Sequence, residues 1–328
     1  VSGVVSSSSS LVGGKAGDYI GNYGITELSN GDFIIRSSSF DNGSAADVGA
    51  LTWASGTTGV TGVVNSTNSL VGTTVDGNVV FYSTVTELTN GNFVVVNPYW
   101  DSATATDVGA VTFGSSTTGV KGVVGSANSL IGSTAFDYVG YDGITELSNG
   151  RYLVRSSYWN SGGTVVGALT WGSETTGVKG VVSATNSLVG TATDNVLSGS
   201  ITELGNGNFL VVNPYWDNGP ETDAGAVTFG SGTTGVKGVI GAANSLVGGT
   251  ASDYVGLEIF FGNGITILSN GNYIVRSPNW DNGGATDAGA VTWASGTTGV
   301  KGLISASNSL IGSTSGDRVG DYITVLSN

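Results

Sequence analysis

The sequence contains no cysteine, histidine or methionine and only 4 prolines in 328 residues. Without cysteine there is no disulfide, thiolate metal site or thiol nucleophile. Without histidine, catalytic triads and metal sites built on imidazole are excluded as well. Positive charge is scarce: Lys+Arg number 10 against 24 Asp+Glu, for a net charge of -14. The cations are scattered singly, so no phosphate-neutralising face for nucleic acid is expected. No apolar run approaches the roughly 18 residues of a membrane helix, so no membrane insertion is expected. No stretch shows helical periodicity with caps. Hydrophobic residues make up 39% and charged residues 10%, which is not the composition of a disordered chain. Glycine, at 56 residues, is about one in six, far from the one in three of collagen. The chain opens on Val1 with no secretory leader, which points to a processed chain or one excised from something longer.

What is present is a repeat. The segment Ser-Leu-Val/Ile-Gly recurs at Leu11, Leu70, Leu130, Leu188, Leu246 and Leu310, at spacings of 59, 60, 58, 58 and 64 residues. A second marker follows at Leu28-Ser29-Asn30-Gly31, Leu88-Thr89-Asn90-Gly91, Leu147-Ser148-Asn149-Gly150, Leu204-Gly205-Asn206-Gly207 and Leu268-Ser269-Asn270-Gly271. A third marker begins at Gly49, Gly109, Gly167, Gly225 and Gly289 and ends on Trp53, Phe113, Trp171, Phe229 and Trp293. The single repeat domain 1–328 divides into a partial repeat (1–13), five complete units (14–72, 73–132, 133–190, 191–248 and 249–312) and a second partial repeat (313–328).

Each unit reads as four short strands. In the fifth, Ile265–Leu268 leads through an Asn270-Gly271 two-residue turn to Tyr273–Arg276. A long loop then reaches Ala290–Trp293, and the turn at Gly296–Gly299 delivers a fourth strand, Gly302–Ser305. The stretch Asn308–Gly312 reads as a connection to the next unit. The class is all-β. A sheet of this kind buries both faces only against neighbours. The expected architecture is a β-propeller of five complete four-stranded repeats of 58–64 residues with partial terminal strands, and the alternative is a stacked β-sheet solenoid. The five third-marker rings are expected to fill one repeated space between sheets.

The stretch Asn272–Pro278 followed by Asp287–Thr292, with its counterparts Asn92–Pro98 and Asp107–Thr112, and Asn208–Pro214 and Asp223–Thr228, resembles the FG-GAP repeat. That repeat builds the β-propeller of integrin α-subunits and of many bacterial surface proteins. The chain is also similar to tandem repeats of large bacterial surface or filamentous proteins. The resemblance implies a propeller and an extracellular, secreted or cell-surface location. The regular Phe-Gly opening and the acidic calcium loop of those propellers are missing.

The ends do not match a finished ring. Residues 4–13 read as a fourth-strand segment and residues 321–326 as a first-strand segment, leaving an incomplete blade. The surplus strands could pack on the ring, belong to a longer array, or be completed by another copy through strand addition.

Candidate chemistry lies in the repeated loops. Four pairs of carboxylates, each six residues apart, precede the third strand: Asp41/Asp47, Asp101/Asp107, Asp217/Asp223 and Asp281/Asp287. The third unit has Asn160 and Val166 instead, so the two acids are lost together. Such pairs suit turn capping or a Ca²⁺ ion. A second acid recurs at Asp18, Asp76, Asp137, Asp194, Asp253 and Asp317, where it reads as a turn former or a contributor to a central-channel ion site. Loop aromatics flanked by amides and acids have a sugar-binding composition: Trp100, Trp159, Trp216 and Trp280, with Asn97 and Asn213. Anchoring a long loop is the alternative role for these rings. The insertion 257–262, with Phe260 and Phe261, is where the symmetry breaks. No single asymmetric constellation suggests catalysis, and no cofactor other than Ca²⁺ is implied. The expected function is non-enzymatic: an adhesion or assembly module of a bacterial surface or secreted protein, self-assembling through its incomplete blade. The alternative is a lectin-like propeller binding a surface glycan, or a protein, through these loops.

Overall fold

The computed structural model describes residues 4–75, 77–191, 196–197, 199–258 and 262–326. Each repeat opens on the expected hairpin. In the second, Thr84–Glu87 runs antiparallel to Phe93–Asn97, with Glu87 opposite Phe93. The turn is not the two-residue Asn-Gly form. Leu88 N–H donates to Asn92 O, Gly91 N–H donates to Leu88 O, and only Gly91 has a positive φ, of 82°. This is a type I turn closed by a glycine bulge, whereas a two-residue type I′ turn would need positive φ at both central residues. The strand Phe93–Asn97 is buried on both faces, as its unbroken apolar run requires. It pairs with Ala110–Gly114 along its full length.

The fourth strand departs from expectation. The stretch read as a connection is the closing strand of its own sheet: Ser129–Ile131 pairs antiparallel with Ala110–Gly114. The Gly-Val segment read as the fourth strand leaves its repeat and joins the preceding one. Gly62–Val63 pairs in parallel with Leu11–Val12, Gly122–Val123 with Leu70–Val71, and Gly180–Val181 with Leu130–Ile131. In the later repeats Gly238–Val239 pairs with Leu188–Val189, and Gly302–Leu303 with Leu246–Val247. The glycine that opens each exchanged strand has φ between 105° and 113°, a conformation that redirects the chain and that a side chain would resist.

Two compact units are distinguished. One comprises residues 1–146, 152–160 and 172–182, and the other residues 147–151, 161–171 and 183–328. The first contains the five-stranded sheet Ile25–Glu27, Phe33–Ser37, Ala50–Ala54, Leu70–Val71 and Gly122–Val123, and the equivalent sheet of the second repeat. The second contains the sheet Ser200–Glu203, Phe209–Asn213, Ala226–Gly230, Ser245–Val247 and Gly302–Leu303. It also holds the four-stranded sheet from Ile265–Ile267 to Leu310–Ile311.

The sheets are open, and the strand exchange runs serially from each repeat to the one before it. This linkage is that of a stacked β-solenoid. It corrects the expected propeller, in which blades close into a ring. The reason lies in the exchanged strand: its hydrogen bonds go to the preceding sheet, so each repeat continues the stack.

Ring packing follows the same direction. Within the first unit, a Cβ added at Gly119 would lie 2.4 Å from Trp53 Cβ, and one at Gly177 would lie 2.2 Å from Phe113 Cβ. In the second unit Gly235 meets Trp171 and Gly299 meets Phe229 in the same way. Four of the five third-marker rings thus press on the Thr-Thr-Gly turn of the following repeat, while Trp293 is exposed. Buried hydroxyl pairs tie the third strand to the closing strand: Thr112–Ser129 and Thr170–Ser187 at 2.7 Å, and Thr228–Ser245 at 2.6 Å. They explain why polar residues recur at core positions.

A carboxylate clamp joins successive hairpins. Glu87 accepts from Ser29 N–H and Oγ, Glu146 from Thr89 N–H and Oγ1, and Glu203 from Ser148 N–H. At the next junction both partners are replaced, with Gly205 in the serine position and Ile267 in the glutamate position. The clamp is solvent-exposed, so Glu146→Ala is expected to cost only about 0.5–1 kcal/mol in chemical denaturation. A loss of several kcal/mol would show that the clamp does more than join two turns.

Candidate functional site

The paired carboxylates are turn caps. The first of each pair accepts the backbone N–H of the second: Asp41 from Asp47 at 2.9 Å, Asp101 from Asp107 at 2.5 Å, Asp217 from Asp223 at 2.8 Å and Asp281 from Asp287 at 2.8 Å. The second residue of each pair has φ between 50° and 55°, a region that Asp tolerates because its short side chain interacts locally. The joint loss at Asn160 and Val166 is that of a cap and the residue it holds. Among the described residues no group of three or more acidic side chains is placed to share a metal ion. The calcium reading of these pairs is corrected accordingly. The calcium-bearing adhesion propeller loses its basis too, since the sheets do not close.

The other recurring acid supports this loop from beneath. Asp137 is fully buried. One oxygen accepts Ser133 N–H and Thr134 N–H at 2.9 Å, and the other accepts Asn160 N–H at 3.2 Å and Asn160 Nδ2 at 2.6 Å. Asp18 and Asp253 make the same pattern toward Asp41 and Asp281. Burial pushes the Asp137 and Asp253 carboxyls above the usual carboxylate range, and the hydrogen bonds pull them part of the way back. Asp76 and Asp194 lie outside the described residues, as do Phe260 and Phe261 of the insertion.

The loop indoles are anchors. Trp100 is 2% exposed, Trp216 3%, and Trp159 and Trp280 6% each. No indole face is free to stack on a sugar. Asn97 and Asn213 are buried as well, so the proposed sugar contacts of these six residues are corrected. Asn97 donates through Nδ2 to Asn78 O at 2.8 Å and accepts Tyr99 N–H at 3.2 Å. That second bond turns the loop outward at Tyr99.

The exposed rings are the neighbours of the indoles. Tyr99, Tyr158 and Tyr215 each precede a buried tryptophan by one residue and face solvent. In the first unit they belong to a continuous strip. Tyr82 and Tyr99 lie 5.2 Å apart between centroids, Tyr99 and Tyr138 5.4 Å, Tyr138 and Tyr158 5.7 Å, and Tyr141 and Tyr158 4.6 Å. Edge-to-face contacts leave ring faces uncovered, and Tyr82 is 76% exposed. In the second unit Tyr215 pairs with Tyr254 at 5.8 Å.

One end of the strip borders a cleft of about 720 Å³ lined by Val75, Asn78, Phe81, Tyr82, Tyr99, Asp101, Thr106 and Asp107. Asp101 is 7% exposed and held in place by its bond from Asp107 N–H. Asp107 accepts a long hydrogen bond from the Tyr138 hydroxyl, at 3.4 Å. Burial and then the neighbouring Asp101 charge raise the Asp107 carboxyl, against the pull of Tyr138. Burial first, then the surrounding phenols and Asp107, raises the Tyr99 and Tyr138 hydroxyls, which stay neutral donors and acceptors at physiological pH. The cleft thus combines ring faces, phenol hydroxyls and two carboxylates.

No curated protein matches the chain. A family model described as a repeat of unknown function (DUF5650) matches residues 1–22, 27–80, 87–141, 146–199, 203–257 and 267–321. It takes the place of the FG-GAP resemblance, whose propeller the open sheets contradict. With six matched segments that together span most of its length, the chain belongs to the DUF5650 repeat family.

Proposed function

We propose that the chain is a non-catalytic carbohydrate-binding repeat protein, acting outside the cell and taking glycans on the tyrosine strip that runs from Tyr82 to Tyr158. The carrying observation is the exposure of adjoining rings beside a cleft with fixed hydrogen-bonding groups. Ring faces suit the C–H faces of pyranoses, while Asp107 and the phenol hydroxyls suit sugar hydroxyls. The open sheets support the strip from beneath, so the rings need little ordering on binding.

A glycan array followed by calorimetry on the best ligand tests this reading. Tyr99→Ala is expected to weaken binding about tenfold or more with only a small fall in melting temperature, since Tyr99 lies outside the core and its ring contacts are with other rings of the strip. Wild-type affinity in Tyr99→Ala, or no glycan bound at all, contradicts the reading.

A further inference from the structure

The acid pairs in the first and fifth repeats have cations supplied by the chain itself. Lys15 Nζ lies 3.7 Å from Asp41, and Arg318 Nη1 lies 3.9 Å from Asp287. Arg36 places its guanidinium 5.1 Å from the centroid of the Tyr23 ring. Its Nη2 donates to Val80 O at 2.9 Å and Ser83 O at 3.0 Å, on either side of Phe81 and Tyr82, which line the cleft of the second repeat. The acid pair of that cleft has neither of the two paired cations. Counting from the closing-strand leucines, Thr74 stands where Lys15 stands and Tyr138 where Arg318 stands. On the hairpin strand, Val96 takes the place of Arg36, each being the fourth residue of its strand. Among the described residues no cationic side chain pairs with Asp101 or Asp107. The rings of Tyr82 and Tyr99 stand beside these carboxylates at a mutual tilt of 59°.

A cleft with two carboxylates, two aromatic walls and, among the described residues, no cation paired with either acid is suited to a cationic nitrogen. The carboxylates supply charge, and ring faces within about 6 Å attract an ammonium group further. The chain's net charge of -14 draws cations in and repels sulfated or uronic glycans. Asp101 is the fixed element, since one of its oxygens accepts the Asp107 N–H.

We infer that the cleft of the second repeat binds the free ammonium group of an amino sugar, seated between Tyr82 and Tyr99 and paired with Asp107. This rests on the carbohydrate reading and narrows its ligand. The sugar ring continues onto Tyr99 and Tyr138, and the ammonium group takes the role that Arg318 plays for Asp287.

The test is calorimetry of the whole chain against three oligomers of equal length: 2-amino-2-deoxyglucose, its N-acetylated form, and glucose. The pH is chosen to protonate the amine and keep carboxylates ionised. The free-amine oligomer is expected to bind about tenfold or more tightly than the other two, with affinity falling as salt rises. Asp107→Asn, which tolerates the same backbone conformation and keeps the N–H bonded to Asp101, is expected to erase that preference without lowering the melting temperature. Equal or tighter binding of the acetylated or glucose oligomer that still depends on Tyr99 overturns the ammonium assignment and leaves the carbohydrate reading standing. Failure of all three oligomers, together with a blank glycan array, removes both.

Discussion

Asp253→Ala is expected to lower the free energy of unfolding by about 3–5 kcal/mol, because it strands several buried donors at once. Asp253 is fully buried and accepts Gly249 N–H at 2.8 Å, Thr250 N–H at 2.9 Å, Thr250 Oγ1 at 2.7 Å and Asp281 N–H at 2.9 Å. Asp281 in turn holds Asp287, so the acid supports the loop two steps away. The pH dependence has a definite sign. Burial raises the folded-state pKa of Asp253 above its unfolded value. Its contribution is therefore fully present below the unfolded value of about 4 and declines as pH rises through the folded value. The gap between wild type and Asp253→Ala is expected to widen on acidification in urea titrations at a series of pH values. A gap that narrows on acidification would mean that the carboxylate is stabilised in its ionised form.

Gly225→Val is expected to be equally damaging for a different reason. Gly225 has φ of 79°, and an added Cβ would lie 2.2 Å from Val255 N and 2.9 Å from Pro214 O. A β-branched residue there combines an unfavourable backbone region, costing about 1–3 kcal/mol, with a clash against main chain that cannot rotate away. The expected result is a protein that does not reach the native state, or that melts far below wild type. Gly241→Ala is the matched control, since nothing lies within 4 Å of its Cβ position and its φ is ordinary. Near-native melting of Gly225→Val would contradict the close approach of the Val255 main chain to Gly225.

Much of the architecture is legible in the repeat. The hairpins, the third strand and the glycine turns follow from alternation and from Asn-Gly punctuation, and they fold where the pattern places them. The partner of the Gly-Val strand is not legible. Two residues carry no periodicity, and a parallel bond to the preceding repeat leaves no mark that an antiparallel bond within the repeat would not. The propeller expectation failed at that strand, because ring closure and serial stacking need the same alternation.

In the loops before the third strand, composition singles out the indoles, and the structure buries these and exposes the adjacent phenols. Trp100 and Tyr99 are adjacent, and a chain leaving a strand buries one neighbour and exposes the other. The larger indole fills the core and the phenol keeps its hydroxyl in water. Two rings in succession after Asn-Pro were the available signal. The acid pairs could not be resolved from sequence either, since capping and metal binding ask for the same residues. The six-residue spacing acquires its meaning only when Asp107 N–H is seen on Asp101. The two missing cations are visible in the sequence as Thr74 and Tyr138, but their significance needs the neighbouring repeats in three dimensions.

The most direct measurement is a glycan titration followed by NMR with separate labels on tyrosine rings and tryptophan indoles. The ring signals of Tyr82, Tyr99 and Tyr138 are expected to move on binding while the indole N–H signals of Trp100, Trp159 and Trp216 stay in place. Indole signals that move while the tyrosine rings do not would contradict the assignment of the surface strip as the binding site.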